Sequence, residues 1–345
     1  SWRRRKERMT TSLNLTRRRL LTTGSVGLAG LAVSGCDVAG TRPLLSSDTH
    51  PSGYPTVEAV EFMGKYLHER TDGRLDIRVY GGGQLGSERD TLEITSFGGL
   101  DVNRVNLAPM NSIEPLTIIP SLPFLFRSTT HMRQSLDGEV GETILNSLEP
   151  HNLVGLCFYD SGERCFYNTK KPIYSPEDMH GMKMRVPGSD LYVAMTRALG
   201  ADATPMPLSE AYQALVQGVI DGAENNWPSY DSGRHFEAAP YYSLTRHVMA
   251  PELLVMSLSR WRKLSDDDKV LVKEAAKASV PFMRSLWDVR VENSRTKLLA
   301  AGVKVNEVKD LSEFQRLMTP VWERFVKTPA QEELVAKVQR LSDEL

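Results

Sequence analysis

The sequence predicts an α/β protein of two lobes, and three observations carry the prediction. A chain of 345 residues is long enough for two separate cores. Helical and strand-like segments alternate through most of it, the signature of a mostly parallel sheet. From Ser265 the alternation gives way to one long helical stretch. Composition is that of an ordinary globular chain, with 41% hydrophobic and 25% charged residues and a net charge of −1.

The N-terminus stands apart. Residues 1–35 hold eight basic side chains and one acid, Glu7, so the rest of the chain carries a net −8. A mildly acidic body argues against a general nucleic-acid binder. "TRRRLLTTGSVGLAGLAVSGC" sets Arg17–Arg19 before a weakly apolar, Gly- and Ala-rich run, then small residues. That is the pattern of a secretory signal and not of a membrane span. The arginines resemble a twin-arginine export signal, and Val33-Ser34-Gly35-Cys36 resembles a lipobox. The likeness implies that Cys36 is the lipidated first residue of a mature lipoprotein, held at the inner membrane by Asp37. A plain cleaved signal peptide is the alternative. Met9, shortly after Ser1, is the expected start of translation.

After a tether over 36–47, "TVEAVEFMGKYLHERTDG" reads as an amphipathic helix closed by Gly73. The strand "RLDIRVY" comes next, and then Gly81, Gly83 and Gly86, which fit G-x-G-x-x-G. Ser87 is placed to cap a helix from about Glu88 to Phe97, and Asp101 sits near the position of a ribose-binding acid. Three-glycine matches are common, so a dinucleotide loop stays one reading among several. "LVGLCFYDSGERCFYN" reads as two strands of a hairpin around Gly162. Its Cys157 and Cys165 are either a cross-strand disulfide or two buried thiols.

Next, "SPEDMHG" is a helical turn, "KMRVP" a strand, "SDLYVAMTRALG" a helix, "DATPMP" extended and "LSEAYQALVQG" another helix. This βαβα unit marks a second lobe. In the stretch 265–302 Pro281 must kink or interrupt the helix. A last strand, "VKVNEV", and two helices finish the chain.

Enzyme templates are missing from the sequence. There is no H-E-x-x-H, no Walker lysine and no G-x-S-x-G elbow, and His235-Phe236-Glu237 lacks the C-x-x-C of a deaminase zinc site. Neither a metal nor a cofactor is expected. Arg185 is more informative, since it ends the strand "KMRVP" just before a helix begins. That edge of an α/β sheet is where ligands sit, and a guanidinium fork there matches a carboxylate. A surface pair with Asp178 would also explain it. Arg164 and Asn168 in the predicted hairpin, and Asn225 and Asn226 beside Trp227, add forks, amides and a ring suited to a carboxylated, hydroxyl-rich ligand. His50 in "SDTHP" and Glu88 after the glycine loop are further candidates.

Together these segments resemble a known family. "GGGQLGSERDTLE", "LPFLF", "SGERCFYN", "SPEDMHGMKMRVPGS", "LGADATPMPLSEAYQALVQGVIDGAENNWPSY" and "LLVMSLSRW" occur in the order found in substrate-binding proteins of tripartite ATP-independent periplasmic (TRAP) transporters. The resemblance covers about residues 48–305 and makes "GGGQLG" a tight turn, not a nucleotide loop. It implies a two-lobed periplasmic-binding-protein-like fold with a long helix bridging the lobes. Lobe 1 would comprise 48–156 and 249–305, lobe 2 157–248, with 306–345 as helices packed on the body. By the same likeness Arg185 holds a ligand carboxylate, aided by Arg164 and Asn225. "AENNWPSY" and "SLTRHVMAPE" resemble the branch that binds hexuronates, making His50, Glu88, Arg104, Asn168, Asn226 and His247 further contacts. The implied partners are a small carboxylate and the TRAP membrane subunits. The rivals are an exported dinucleotide-dependent oxidoreductase and a binding protein for an ATP-driven importer.

Overall fold

The computed structural model describes residues 42–343; the export signal and Cys36 lie outside the described residues. The chain first builds β1 (Leu44–Ser47), α1 (Pro55–Arg70), β2 (Ile77–Tyr80), α2 (Glu88–Ser96) and β3 (Val102–Asn106). Then come α3 (Thr129–Asp137), α4 (Glu139–Asn146), β4 (Leu153–Tyr159) and β5 (Arg164–Asn168). The middle holds β6 (Lys183–Val186), α5 (Asp190–Ala198), β7 (Asp202–Pro205), α6 (Leu208–Val216), β8 (Gly222–Asn225), α7 (Trp227–Ser232) and β9 (Tyr241–Val248). The last third is β10 (Glu252–Ser257), α8 (Leu258–Trp261), α9 (Asp266–Ala300), β11 (Lys304–Glu307), α10 (Ser312–Phe325) and α11 (Pro329–Asp343). Strand β1 thus begins inside the stretch read as a tether.

Two sheets organise two lobes. One has the order β2-β1-β3-β10-β4, the other β11-β9-β5-β8-β6-β7. Both are mixed and not simply parallel, because each contains one reversed strand. β10 runs antiparallel to β3 and β4, and β5 runs antiparallel to β8 and β9. These are the two strands reached by crossing from the other lobe, through residues 160–163 and 249–251. A strand entered from the cleft side must run against neighbours whose carboxyl ends point into the cleft. The predicted hairpin around Gly162 is therefore a lobe crossing: β4 and β5 lie in different sheets. Gly162 turns at φ +61°, where an added Cβ would meet the Trp287 ring at 3.1 Å.

The two cysteines part company for the same reason. Cys157 joins the core under β4 and α9, Cys165 the core of the second lobe, and both are free thiols. Burial pushes each up to about 12, which leaves them inert small hydrophobes.

Helix α9 is the third link between the lobes. Its 35 residues give a length of about 50 Å. Met283 and Trp287 pack in the core shared with α1 and β4, while Leu298 reaches the core of the second lobe. Ser294 and Lys297 also hold Asp231 of α7, at 2.9 and 2.6 Å. The helix runs through Pro281 without interruption. Phe282 stacks on Phe62 of α1 at 4.5 Å, and Ser279 and Met283 are buried on either side, so packing holds the helix together across the missing N–H. Strand β11 pairs with β9 and so belongs to the second sheet.

Candidate ligand-binding cleft

Strand ends from both sheets converge on one cavity. Thr49 and His50 come just after β1, Glu88 opens α2, Asn106 ends β3 and Glu252 opens β10. Facing them, Arg164 opens β5, Arg185 lies near the end of β6 with Pro187 just beyond, Leu208 opens α6, Asn225 ends β8 and Ser229 lies in α7. These side chains leave a small polar cavity between them. Direct bonds join the lobes near it: the Tyr54 and Ser229 hydroxyls lie 3.0 Å apart, the Asn111 amide and Ser189 hydroxyl 2.8 Å, and Phe124 N donates to the His247 carbonyl at 2.9 Å. His50 stacks on Tyr54 with ring centroids 3.8 Å apart, and burial pulls its imidazole well below the ordinary range, keeping it neutral.

The two arginines on the second lobe differ in kind. Arg164 donates Nε and Nη2 to the two carboxylate oxygens of Glu224, at 2.6 and 2.7 Å. His247 adds a third bond to Glu224 at 3.1 Å. Burial pushes Glu224 up, but Arg164 and His247 more than offset this, and it titrates at about 2. Arg164 is thus a neutralised cation. Arg185 is not: among the described residues only its Nε bonds the protein, to the Met206 carbonyl at 2.9 Å, and it is 3% exposed. It makes no ion pair among the described residues; Asp178, its alternative partner, binds Lys171 at 3.0 Å and caps the turn at Tyr174 and Ser175. Burial pulls Arg185 down from its usual value. A buried guanidinium with two free nitrogens beside a cavity calls for an anion.

The first lobe presents the opposite charge. Arg104, fully buried, binds Glu88 at 2.9 Å and Glu252 at 2.7 Å through Nη1, and Asp48 through Nη2. Three carboxylates share one cation. Burial raises Glu88, Arg104 opposes this, and Glu252 reinforces it.

Of the residues singled out in the sequence, Arg185, Arg164, Asn225, His50 and Glu88 come together on the cavity wall. The other four lie off it. Arg104 stands behind the wall, holding the acids. His247 lies under Glu224. Asn226 caps α7, its amide oxygen accepting from Ser229 N at 2.8 Å and its nitrogen donating to the Ser161 carbonyl at 2.7 Å. Asn168 closes the loop after β5, accepting from Lys170 N and Lys171 N. His235 is a buried partner of the Tyr167 hydroxyl at 2.6 Å. Sequence reasoning missed Thr49, Asn106, Pro187, Leu208, Ser229 and Glu252. Glu252 left a readable trace, a lone charge opening the apolar run "ELLVMS".

The glycine loop is not built for a pyrophosphate. Gly82 N donates to the His50 carbonyl at 2.6 Å and Gly83 N to the Asp48 carbonyl at 3.0 Å, so donors that would cradle phosphate are engaged. Gly81 must be glycine because a Cβ would lie 2.9 Å from the His50 carbonyl. Asp101 is at the far end of β3, bound to Arg42 at 2.7 Å and to Leu45 N at 2.8 Å.

The model of bacterial extracellular solute-binding protein family 7 matches residues 46–328. The chain belongs to this family. A solute-binding protein of Chromohalobacter salexigens is 44% identical over 291 residues, spanning 84% of this chain and 87% of that protein. Among solved structures, a TRAP periplasmic solute-binding protein of Bradyrhizobium sp. BTAi1, in complex with α/β-D-galacturonate, superposes with a TM-score of 0.85 at 50% identity. The match covers 87% of this chain and 100% of that one. A second, from C. salexigens with bound D-glucuronate, gives 0.84 at 43% identity over 86% and 99% of the two chains. As a family-7 solute-binding protein the chain is a periplasmic binder and not an enzyme.

Proposed function

We propose that the protein captures a hexuronate, such as galacturonate or glucuronate, in the cleft and delivers it to an ion-gradient-driven TRAP membrane permease. The observation that carries this reading is Arg185: a buried guanidinium, unpaired among the described residues, facing a cavity with carboxylates on the opposite wall. Arg185 takes the ligand carboxylate through its two free nitrogens. Arg164, already neutralised by Glu224, and Asn225 offer hydrogen bonds beside it, while His50 and Glu88 face the sugar hydroxyls. Family relatives with hexuronates bound support the same ligand class. A ligand touching both walls is bound fully only when the lobes are closed, so it shifts the lobe equilibrium toward closure. Lobe 1 is built on β1–β4 and β10 and lobe 2 on β5–β9 and β11, with the crossings at 160–163 and 249–251 between them; the bounds expected from the resemblance shift accordingly, since residues 157–159 stay with the first sheet and β11 with the second. The chain is exported through its twin-arginine signal and tethered to the inner membrane by lipid on Cys36, which raises its concentration near the permease.

Thermal melting against hexuronates, aldonates, dicarboxylates, amino acids and nicotinamide dinucleotides tests the reading. At 100-fold excess over its dissociation constant a hexuronate stabilises by about 2.7 kcal/mol, a shift of several degrees. A shift with a dinucleotide alone would overturn it.

A further inference from the structure

The acidic wall of the first lobe carries more information than its charge. Asp48 is fully engaged: its Oδ1 takes Arg104 and His50 N, and its Oδ2 accepts from Thr56 Oγ1 at 2.8 Å. Glu88 and Glu252 are each half engaged. Glu88 Oε1 accepts from Arg104 Nη1 at 2.9 Å and from Asn106 N at 3.0 Å, while its Oε2 has no hydrogen bond among the described residues. Glu252 Oε2 accepts from the same Nη1 at 2.7 Å, and its Oε1 has only a long 3.4 Å contact from Asn106 Nδ2. Both side chains line the cavity. Two carboxylates tied to a single nitrogen are necessarily neighbours, and each keeps an open oxygen beside the cavity.

We propose that Glu88 and Glu252 form a paired acceptor for two hydroxyl groups of the ligand, held side by side by Arg104. The pair sets which carboxylates the cleft accepts. The inference rests on the reading that Arg185 anchors a sugar carboxylate. An ionised carboxylate only accepts hydrogen bonds, so the ligand must bring O–H donors to this end. Left without them, one buried and one half-buried acceptor lose their water on closure and gain nothing in return. One guanidinium cannot neutralise three carboxylates, so the wall also repels a second anionic group. Dicarboxylates of similar length are rejected by that repulsion, and hydroxyl-free acids by the unmet acceptors. The ligand is therefore oriented, with its carboxylate on Arg185 and a pair of hydroxyls on the glutamates. Arg104 touches no ligand in this scheme; it is a positioning residue.

Calorimetric titration of the native protein and of Glu252→Gln, Glu88→Gln and Arg104→Lys tests this. The probes are D-galacturonate, D-glucuronate, adipate and cyclohexanecarboxylate, the last being a six-membered ring with a carboxylate and no hydroxyls. The native protein is expected to bind a hexuronate and neither hydroxyl-free acid. Each glutamine variant replaces an open acceptor by an amide, and hexuronate affinity is expected to fall about 10- to 100-fold. Glu252→Gln, which removes charge from the wall, is expected to narrow the preference over adipate. Arg104→Lys is expected to narrow the preference over cyclohexanecarboxylate, a change that mere loosening of the fold would not produce. Melting curves without ligand identify any variant that fails to fold, and the remaining glutamine variant then carries the test. If the native protein binds a hexuronate and the folded glutamine variants bind it equally well with unchanged preference, the paired acceptor is wrong. If the native protein binds no hexuronate, the carboxylate-anchor reading fails first.

Discussion

Arg164 and Arg185 stand on strands of one sheet and are equally buried, at 3% exposure each, yet their removal has opposite consequences. Arg164→Met deletes one member of a buried, bidentate ion pair and leaves Glu224 charged without its main partner. Breaking such a pair costs about 3–5 kcal/mol, which lowers the melting temperature of a chain this size by roughly 5–8 °C. Arg185→Met breaks no ion pair. It loses one bond to the Met206 carbonyl, worth about 1 kcal/mol, and it removes an uncompensated buried charge, which works the other way. The expected melting temperature without ligand is within about 3 °C of native. Ligand binding has a different logic. Two charge-assisted bonds of about 1.5 kcal/mol or more each disappear with Arg185, and hexuronate affinity falls at least about 100-fold. Differential scanning calorimetry of both variants, followed by titration with D-galacturonate, separates the effects. An Arg185→Met protein that melts as low as Arg164→Met, or that binds the sugar acid like the native protein, refutes the assignment of a free anchor and a neutralised neighbour.

Three further outcomes are expected of the same structure. Glu224 titrates at about 2 in the folded chain, below the ordinary glutamate value of about 4.3. A depressed carboxylate contributes stability present above the unfolded value and lost as pH falls toward the folded one. The stability gap between native and Glu224→Gln proteins should therefore be constant near neutral pH and shrink between about pH 4.3 and 2, as read by urea melts at stepped pH; a gap that widens there contradicts the pairing. Gly162→Ala places a Cβ at positive φ and against Trp287 in the lobe crossing; it should lower stability by about 1–2 kcal/mol and weaken ligand binding, and an unchanged melting curve would show that the crossing tolerates a side chain. Cys157 and Cys165 should resist alkylation in the folded protein and react as two thiols after unfolding; mass spectrometry showing them linked would contradict the lobe crossing.

Much of the architecture was legible from local signals. The capped helices, the βαβα unit and the long helix each announce themselves by period, cap and turn residues, because those are short-range properties. The cavity wall was legible where a polar residue ends a strand, as at Arg185 and Asn225. What could not be read was which strand joins which sheet. A turn such as "DSGER" looks the same whether the chain folds back or crosses between lobes, since the outcome depends on partners far along the chain. Pairings far along the chain also decide that Arg104 and His247 stand one layer behind the wall, supporting Glu88, Glu252 and Glu224. They also hid Glu252, whose role arises only because β10 enters the first sheet reversed beside β3. The glycine loop misleads in the other direction: three glycines at a nucleotide-like spacing are required here by positive φ and by a close approach to the carbonyl groups just after β1.

Selection of a sugar acid by a buried, unpaired arginine in the cleft between the two sheets is open to a direct test. Isothermal titration of the native protein with D-galacturonate and D-glucuronate, beside galactose, succinate and a nicotinamide dinucleotide, provides it. One-to-one binding of at least one hexuronate is expected, and none of the uncharged sugar, which lacks the carboxylate that Arg185 requires. Binding of galactose as tight as that of galacturonate, or binding of the dinucleotide alone, would contradict the role given to Arg185.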